Sequence, residues 1–121
     1  RRYTFALRKG VRFHTGKEMT SADVVASLTR WGKVATTGKA VWRAVEAVEA
    51  KDPYTVVFHL KEPSGSLLYA LGSPNNGASI HPKEVIDAAG DRQIKEFVGT
   101  GPYRFVEPRP DRHIKVPRFK D

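Results

Sequence analysis

Apolar and polar positions alternate from the start of the chain. Tyr3, Phe5 and Leu7 alternate with Thr4, Ala6 and Arg8, the period of two that marks a half-buried strand. Lys9-Gly10 turns the chain, Val11-Arg12-Phe13 continues extended, and Thr15-Gly16-Lys17 is a second turn signal. The period then changes. Val24, Leu28 and Trp31 recur at i, i+4 and i+7, with Val25 beside them, which predicts a helix over 21–31. Thr20 and Asp23 form a capping-box-like start, with Asp23 at the positive end of the helix dipole. Gly32 reads as the stop, 33–39 as a loop and 40–44 as a short helical turn.

Alternation returns after Asp52-Pro53. Tyr54, Val56, Phe58 and Leu60 alternate with Thr55, Val57, His59 and Lys61, and such a strand needs a partner. The nearest is 45–50, which predicts a β-hairpin of 45–50 with 54–61. Pro63 ends it. Ser64 can cap a helix over 65–71 that turns Leu67, Leu68 and Leu71 inward. A loop follows at 73–77. Pro82 opens a helix to Ala89, Gly90 ends it, and 91–97 can add a further turn or two. Gly99-Thr100-Gly101-Pro102 is a rigid turn, 103–107 a strand, 108–111 a turn and 112–119 the returning strand. The expected class is α+β: a mixed or antiparallel sheet with a β-hairpin and three or four short helices.

Composition narrows the class further. At 121 residues, 40% apolar and 28% charged, the chain suits one folded domain with a core of its own. No run approaches the roughly 20 apolar residues of a membrane helix. Cysteine is absent, which excludes disulfides, thiolate catalysis and cysteine-ligated zinc. The net charge of +8 sits at the two ends. Residues 1–18 carry six basic side chains against Glu18, and 104–121 carry six against three acids, while 19–103 is neutral with nine of each. A phosphate-binding patch is one explanation, and a basic nucleic-acid-binding module is the rival reading it supports. The other is that both ends face a remainder of the protein. The opening Arg1-Arg2-Tyr3, with neither an initiator Met nor a signal peptide, suggests a fragment or a processed chain.

No catalytic constellation stands out. His14, His59, His81 and His113 are scattered without metal-ligand spacing, and read as surface or edge-strand residues. Glu46 and Glu49 fall on opposite faces of a strand. There is no Gly-x-Ser-x-Gly elbow, and Gly99-Thr100-Gly101 lacks the Lys-Ser/Thr of a phosphate loop. A hydrolase would have to draw on Glu46, Glu49, Glu62 and the histidines. No cofactor or metal is expected, and the chain is not read as an enzyme. Trp42, near Lys39 and Arg43, is either a core aromatic or a ligand-facing one beside a cation.

Four segments, in order, carry a resemblance. Tyr3–Gly16 (YTFALRKGVRFHTG), Thr20–Leu28 (TSADVVASL), Val45–Val48 (VEAV) with Tyr54–Pro63 (YTVVFHLKEP), and Val98–Phe105 (VGTGPYRF) together resemble extracytoplasmic solute-binding proteins of the family 5 type. These are peptide-, oligopeptide- and nickel-binding receptors of ABC importers. Thr15 stands where the family often has Asp, which touches only a turn. The resemblance implies a two-lobed, Venus-flytrap receptor that traps its ligand in a cleft. The chain 1–121 would be a partial domain, the accessory domain of the amino-terminal lobe with flanking strands 1–14 and 102–119.

The resemblance also implies partners and a site. The partners are a small, peptide-like solute, the permease of an ABC transporter in the membrane and the remaining lobe of the same receptor, with no nucleic acid. The place is periplasmic or otherwise extracytoplasmic, after export by a signal peptide absent from this chain. Trp42, Lys39, Asn75 and Asn76 fall where the accessory domain can reach the cleft. The nickel branch has Arg-x-x-Trp where this chain has Lys39-Ala40-Val41-Trp42. Lys cannot form the bidentate fork that Arg makes to a carboxylate, so a peptide-like ligand is expected over a metal chelate.

Overall fold

A computed structural model of the chain describes residues 2–75, 77–109 and 111–120. Strand β1 (Arg2–Ala6) opens the fold, and helix α1 (Ser21–Val34) and helix α2 (Thr36–Trp42) follow. Strands β2 (Val45–Asp52) and β3 (Thr55–Leu60) form the expected hairpin. Helices α3 (Leu67–Gly72) and α4 (Lys83–Ala89) come next, and strands β4 (Glu107–Arg109) and β5 (His113–Lys115) close the chain. The class is α+β, as the periodicities imply.

The main sheet is antiparallel in the order β1-β3-β2, so the hairpin accepts the first strand of the chain on its far side. Tyr3 lies opposite Phe58 and Phe5 opposite Val56, which puts the alternating apolar set on one face. Val24 and Leu28 of α1 pack on that face against Val45, Val56, Phe58 and Leu60. Phe5 meets Phe58 edge-on with ring centroids 5.5 Å apart, and Trp42 meets it from the other side at 6.3 Å. This geometry favours aromatic pairs beyond the area they bury. His59 belongs to the central strand, not to an edge. Glu46 falls at a register shift in β2.

Helix α1 begins as its sequence requires. The Thr20 N–H donates to Asp23 Oδ2 at 2.9 Å within a capping box. Its end differs from expectation. Gly32 does not stop the helix, which runs on to Val34, and α2 starts after one intervening residue, so most of the expected 33–39 loop is helical. The reason is tertiary. A Cβ on Gly32 would lie 2.3 Å from Trp42 Cδ2, so the indole of α2 occupies the space that a side chain would need. Gly38 returns the favour: a Cβ there would lie 2.1 Å from the Trp31 carbonyl oxygen. The two glycines let the helices touch.

Other boundaries move for local reasons. Helix α3 starts at Leu67 with Ser66 as its cap residue, and Ser64 instead shares a 3.1 Å hydroxyl–hydroxyl hydrogen bond with Ser66. Leu67 is buried, but Leu68 points outward. Helix α4 ends at Gly90, whose φ of +57° suits glycine. Residues 91–97 add no helical turn. Regular strand pairing runs only from Glu107–Arg109 to His113–Lys115, and the rest of the expected 103–107 strand keeps the Tyr103–Arg118 bridge and the Arg104 and Val106 N–H bonds to the Pro117 and Lys115 carbonyls. Pro117 accounts for the early end of β5, because it cannot donate to the ladder.

Candidate functional site

Two recesses flank one irregular segment, residues 77–81. The first is apolar, with a volume of about 230 Å³. Phe5, Leu7 and Phe58 of the sheet side and Leu28 of α1 form its base, while Ala78 and Ile80 form its outer wall. The second, of about 240 Å³, lies where α1 faces residues 77–81, and Ser27, Arg30, Trp31, Ser79 and His81 line it. The first could take a small apolar group. The second offers polar and charged partners.

The wall between them is pinned to α1. Ser27 and Asp23 lie one turn apart and are buried despite being polar. The Ser27 hydroxyl accepts from the His81 N–H at 2.8 Å and donates to the His81 carbonyl at 3.0 Å. Asp23 Oδ1 accepts from the Lys83 N–H at 2.7 Å and from Lys17 Nζ at 3.2 Å. Burial pushes the Asp23 carboxyl pKa upward, but the Thr20 and Lys83 amides and Lys17 outweigh it, so the net shift is down. Lys17 also reaches Glu84 at 2.8 Å, and that hydrogen bond is the main cause of its raised pKa.

His81 is the exception to this satisfied network. Its Nδ1 is buried with no hydrogen-bond partner among the described residues. Burial, with the Arg30 charge behind it, lowers its pKa from the ordinary 6.5, so the ring is neutral at pH 7. Arg30 itself spans to α4 and beyond, donating to the carbonyls of Gly90 at 3.1 Å and Arg92 at 2.7 Å.

Of the described residues singled out from the sequence as ligand-facing, none lines either recess, but Trp42 packs on Phe58, which does. Trp42 ends α2, half-buried, with its indole over Gly32 and against Phe58. Lys39 stands three residues earlier on the same helix and is exposed. Asn75 is exposed in the segment after α3, and Asn76 lies outside the described residues. Nothing in the hydrogen bonding ties Lys39, Trp42 and Asn75 to one another among the described residues. The packing of Trp42 satisfies its core reading, and the ring's exposed remainder is what a ligand could touch.

The other chemistry-bearing residues are structural. His14 latches the two ends of the chain: its N–H donates to the Gly99 carbonyl at 2.9 Å, its Nε2 donates to the Gly101 carbonyl at 2.8 Å, and its Nδ1 accepts from the Gly99 N–H at 3.3 Å. The Val98–Phe105 motif thus closes back on the first segment. His59 and Glu49 pair at 2.9 Å on the exposed face of the sheet. No group of three His, Asp or Glu among the described residues is placed to hold a metal ion.

Sequence reasoning missed Ser27, Arg30 and His81. One signal was available: Asp23, Ser27 and Arg30 recur at i, i+4 and i+7, a polar stripe beside the apolar one of Val24, Leu28 and Trp31. The alternation of Ala78 and Ile80 was masked by the turn residues before it.

The family model for bacterial extracellular solute-binding proteins, family 5 Middle, matches residues 1–121. A probable peptide ABC transporter periplasmic-binding protein, y4tO of Sinorhizobium fredii, is 35% identical over 103 residues, covering 85% of this chain and 19% of its own length. Among solved structures, the binding protein MoaA of A. tumefaciens R10 in complex with mannopinic acid superposes with a TM-score of 0.79 at 32% identity, over 97% of this chain and 24% of that one. The oligopeptide-binding protein AppA of Bacillus subtilis in complex with a nonapeptide gives a TM-score of 0.76 at 28% identity, over 98% and 25%. The chain spans about a fifth of the length of the curated relatives it matches, 19% and 22% for two of them.

Proposed function

The chain belongs to the bacterial extracellular solute-binding proteins of family 5, and from that premise we propose that it forms part of the solute-binding component of an ABC importer. The protein it belongs to captures a small peptide-like solute between two lobes and delivers it to a membrane permease outside the cytoplasm. A receptor of this kind works by closure. The solute makes contacts in the closed form that it cannot make in the open one, and that difference in binding free energy shifts the population toward closure. No bond is made or broken, so the protein is a carrier and not an enzyme. The observation that carries this reading is the family match along the whole chain, on a backbone that superposes on solute-bound receptors.

Within that receptor, the chain 1–121 acts as a partial domain that supplies one wall of the solute cavity. Trp42 offers an apolar face, Lys39 a cation for a carboxylate, and Asn75 and Asn76 amide groups for a peptide backbone. The test is a thermal-shift screen of the intact receptor with small peptides, mannopinic acid, sugars and nickel–histidine. A peptide at 100 times its dissociation constant should add about 2.7 kcal/mol of stability. Trp42→Ala should weaken binding about tenfold, the effect of losing roughly 1.4 kcal/mol of contact. Unchanged affinity and selectivity in that variant would remove Trp42 from the cavity wall, and a response to sugars alone would replace the peptide reading.

A further inference from the structure

Residues 77–81 form no helix or strand, yet their side chains alternate. Ala78 and Ile80 line the apolar recess, while Gly77, Ser79 and His81 line the polar one. One stretch of backbone therefore walls both recesses, and a shift of its position widens one as it narrows the other.

No strand pairs with this segment among the described residues. The Ser79 N–H turns back to the Gly77 carbonyl at 3.0 Å. Its firm attachment is at the far end, where Ser27 takes both backbone groups of His81 and Asp23 takes the Lys83 N–H. Both side chains are buried, at 2% and 0% exposure, so removing either leaves the backbone groups it serves without their protein partner. Asp23 has a second duty in capping α1, whereas the hydrogen bonds of the Ser27 hydroxyl go to His81.

We propose that Ser27, supported by Asp23 one turn before it, is a positioning residue for solute binding: it holds the 77–81 partition at the distance from α1 that sets the width of both recesses. This rests on the reading of the chain as a wall of the solute cavity. Ser27 touches no solute itself. It acts through the backbone of His81, and the partition carries the effect to Ala78 and Ile80. The spacing matters because Ala78 and Ile80 form one side of the apolar recess, so displacing them changes its shape and what fits there.

The experiment compares Ser27→Ala, Ser27→Thr and Val25→Ala in the intact receptor. Hydrogen exchange reads the partition directly, and titration with trialanine and with mannopinic acid reads the cavity. Ser27→Ala should speed exchange of the His81 amide, which donates to the Ser27 hydroxyl, at least tenfold while the β3 amides stay as in the wild type. It should also weaken binding of whichever probe the wild type takes at least fivefold. Ser27→Thr, which keeps the hydroxyl, should restore both. Val25→Ala trims the same helix without touching His81, so it should lower the melting temperature and leave the His81 exchange unchanged. A wild-type exchange rate at His81 in Ser27→Ala would overturn the proposal, as would faster exchange with affinity held within twofold. If the wild type binds neither probe, the peptide reading fails by itself, and the exchange pattern alone decides whether Ser27 holds the partition.

Discussion

His81, which the sequence reads as a surface or edge-strand residue, becomes informative once its surroundings are known. Its ring is held neutral by burial first and by the Arg30 charge second, both of which lower its pKa from 6.5. As pH falls, the unfolded chain takes up this proton before the folded one does. Stability from this group is therefore complete above about pH 6.5 and declines as pH drops toward the lowered folded value. Urea titrations between pH 7 and pH 5 should show a falling midpoint for the wild type and a flatter one for His81→Phe. That substitution removes a buried atom without a partner but adds bulk, so at pH 7 it should change stability by no more than about 2 kcal/mol. Parallel slopes in the two proteins would mean that the ring is not the titrating group. Asp23 adds a separate decline at lower pH, since its depressed carboxyl pKa favours the folded state until pH falls below the carboxylate range.

Between elements, the contact of α1 with α2 inverts an ordinary rule. Glycine inside a helix costs about 1 kcal/mol relative to alanine, so Gly32→Ala should stabilise an isolated helix. Here the new methyl would overlap the Trp42 indole, and overpacking costs about 1–3 kcal/mol. The expected result is a net loss of up to about 2 kcal/mol in chemical denaturation, reduced when Trp42 is also changed to Leu. A gain in stability for Gly32→Ala would show that the ring does not rest on the helix. The same contact explains why the stop at Gly32 and the loop over 33–39 read plausibly and yet differ from the fold. Glycine is the commonest helix terminator, and only the approach of a second helix tells that this one is a docking surface. The hairpin was legible because alternation over Tyr54–Leu60 and the Asp52-Pro53 turn agree with each other.

For the whole molecule, the closing ribbon is the least self-sufficient part. Ile114 and Val116 are 67% and 46% exposed, among Arg112, Lys115 and Arg118. On the proposed function, an apolar, basic face of this kind fits a surface that the remainder of the protein would cover. Ile114→Ser and Val116→Ser should each cost the chain 1–121 no more than about 0.5 kcal/mol, the usual range for surface changes. In the intact receptor each should cost more than about 1 kcal/mol, which unfolding curves of the two forms would reveal; equal effects in both would leave the face uncovered. The sequence by itself determined the first strand, the start of the first helix, the hairpin and the family, because periodicity, capping and turn chemistry act between residues close along the chain. Tertiary structure alone decided that Gly32 seats Trp42, that Ser27 and Asp23 hold residues 81–83, and that residues 77–81 divide two recesses. Those contacts join positions far apart in sequence, where no local spacing encodes them and only the packed core brings them within reach.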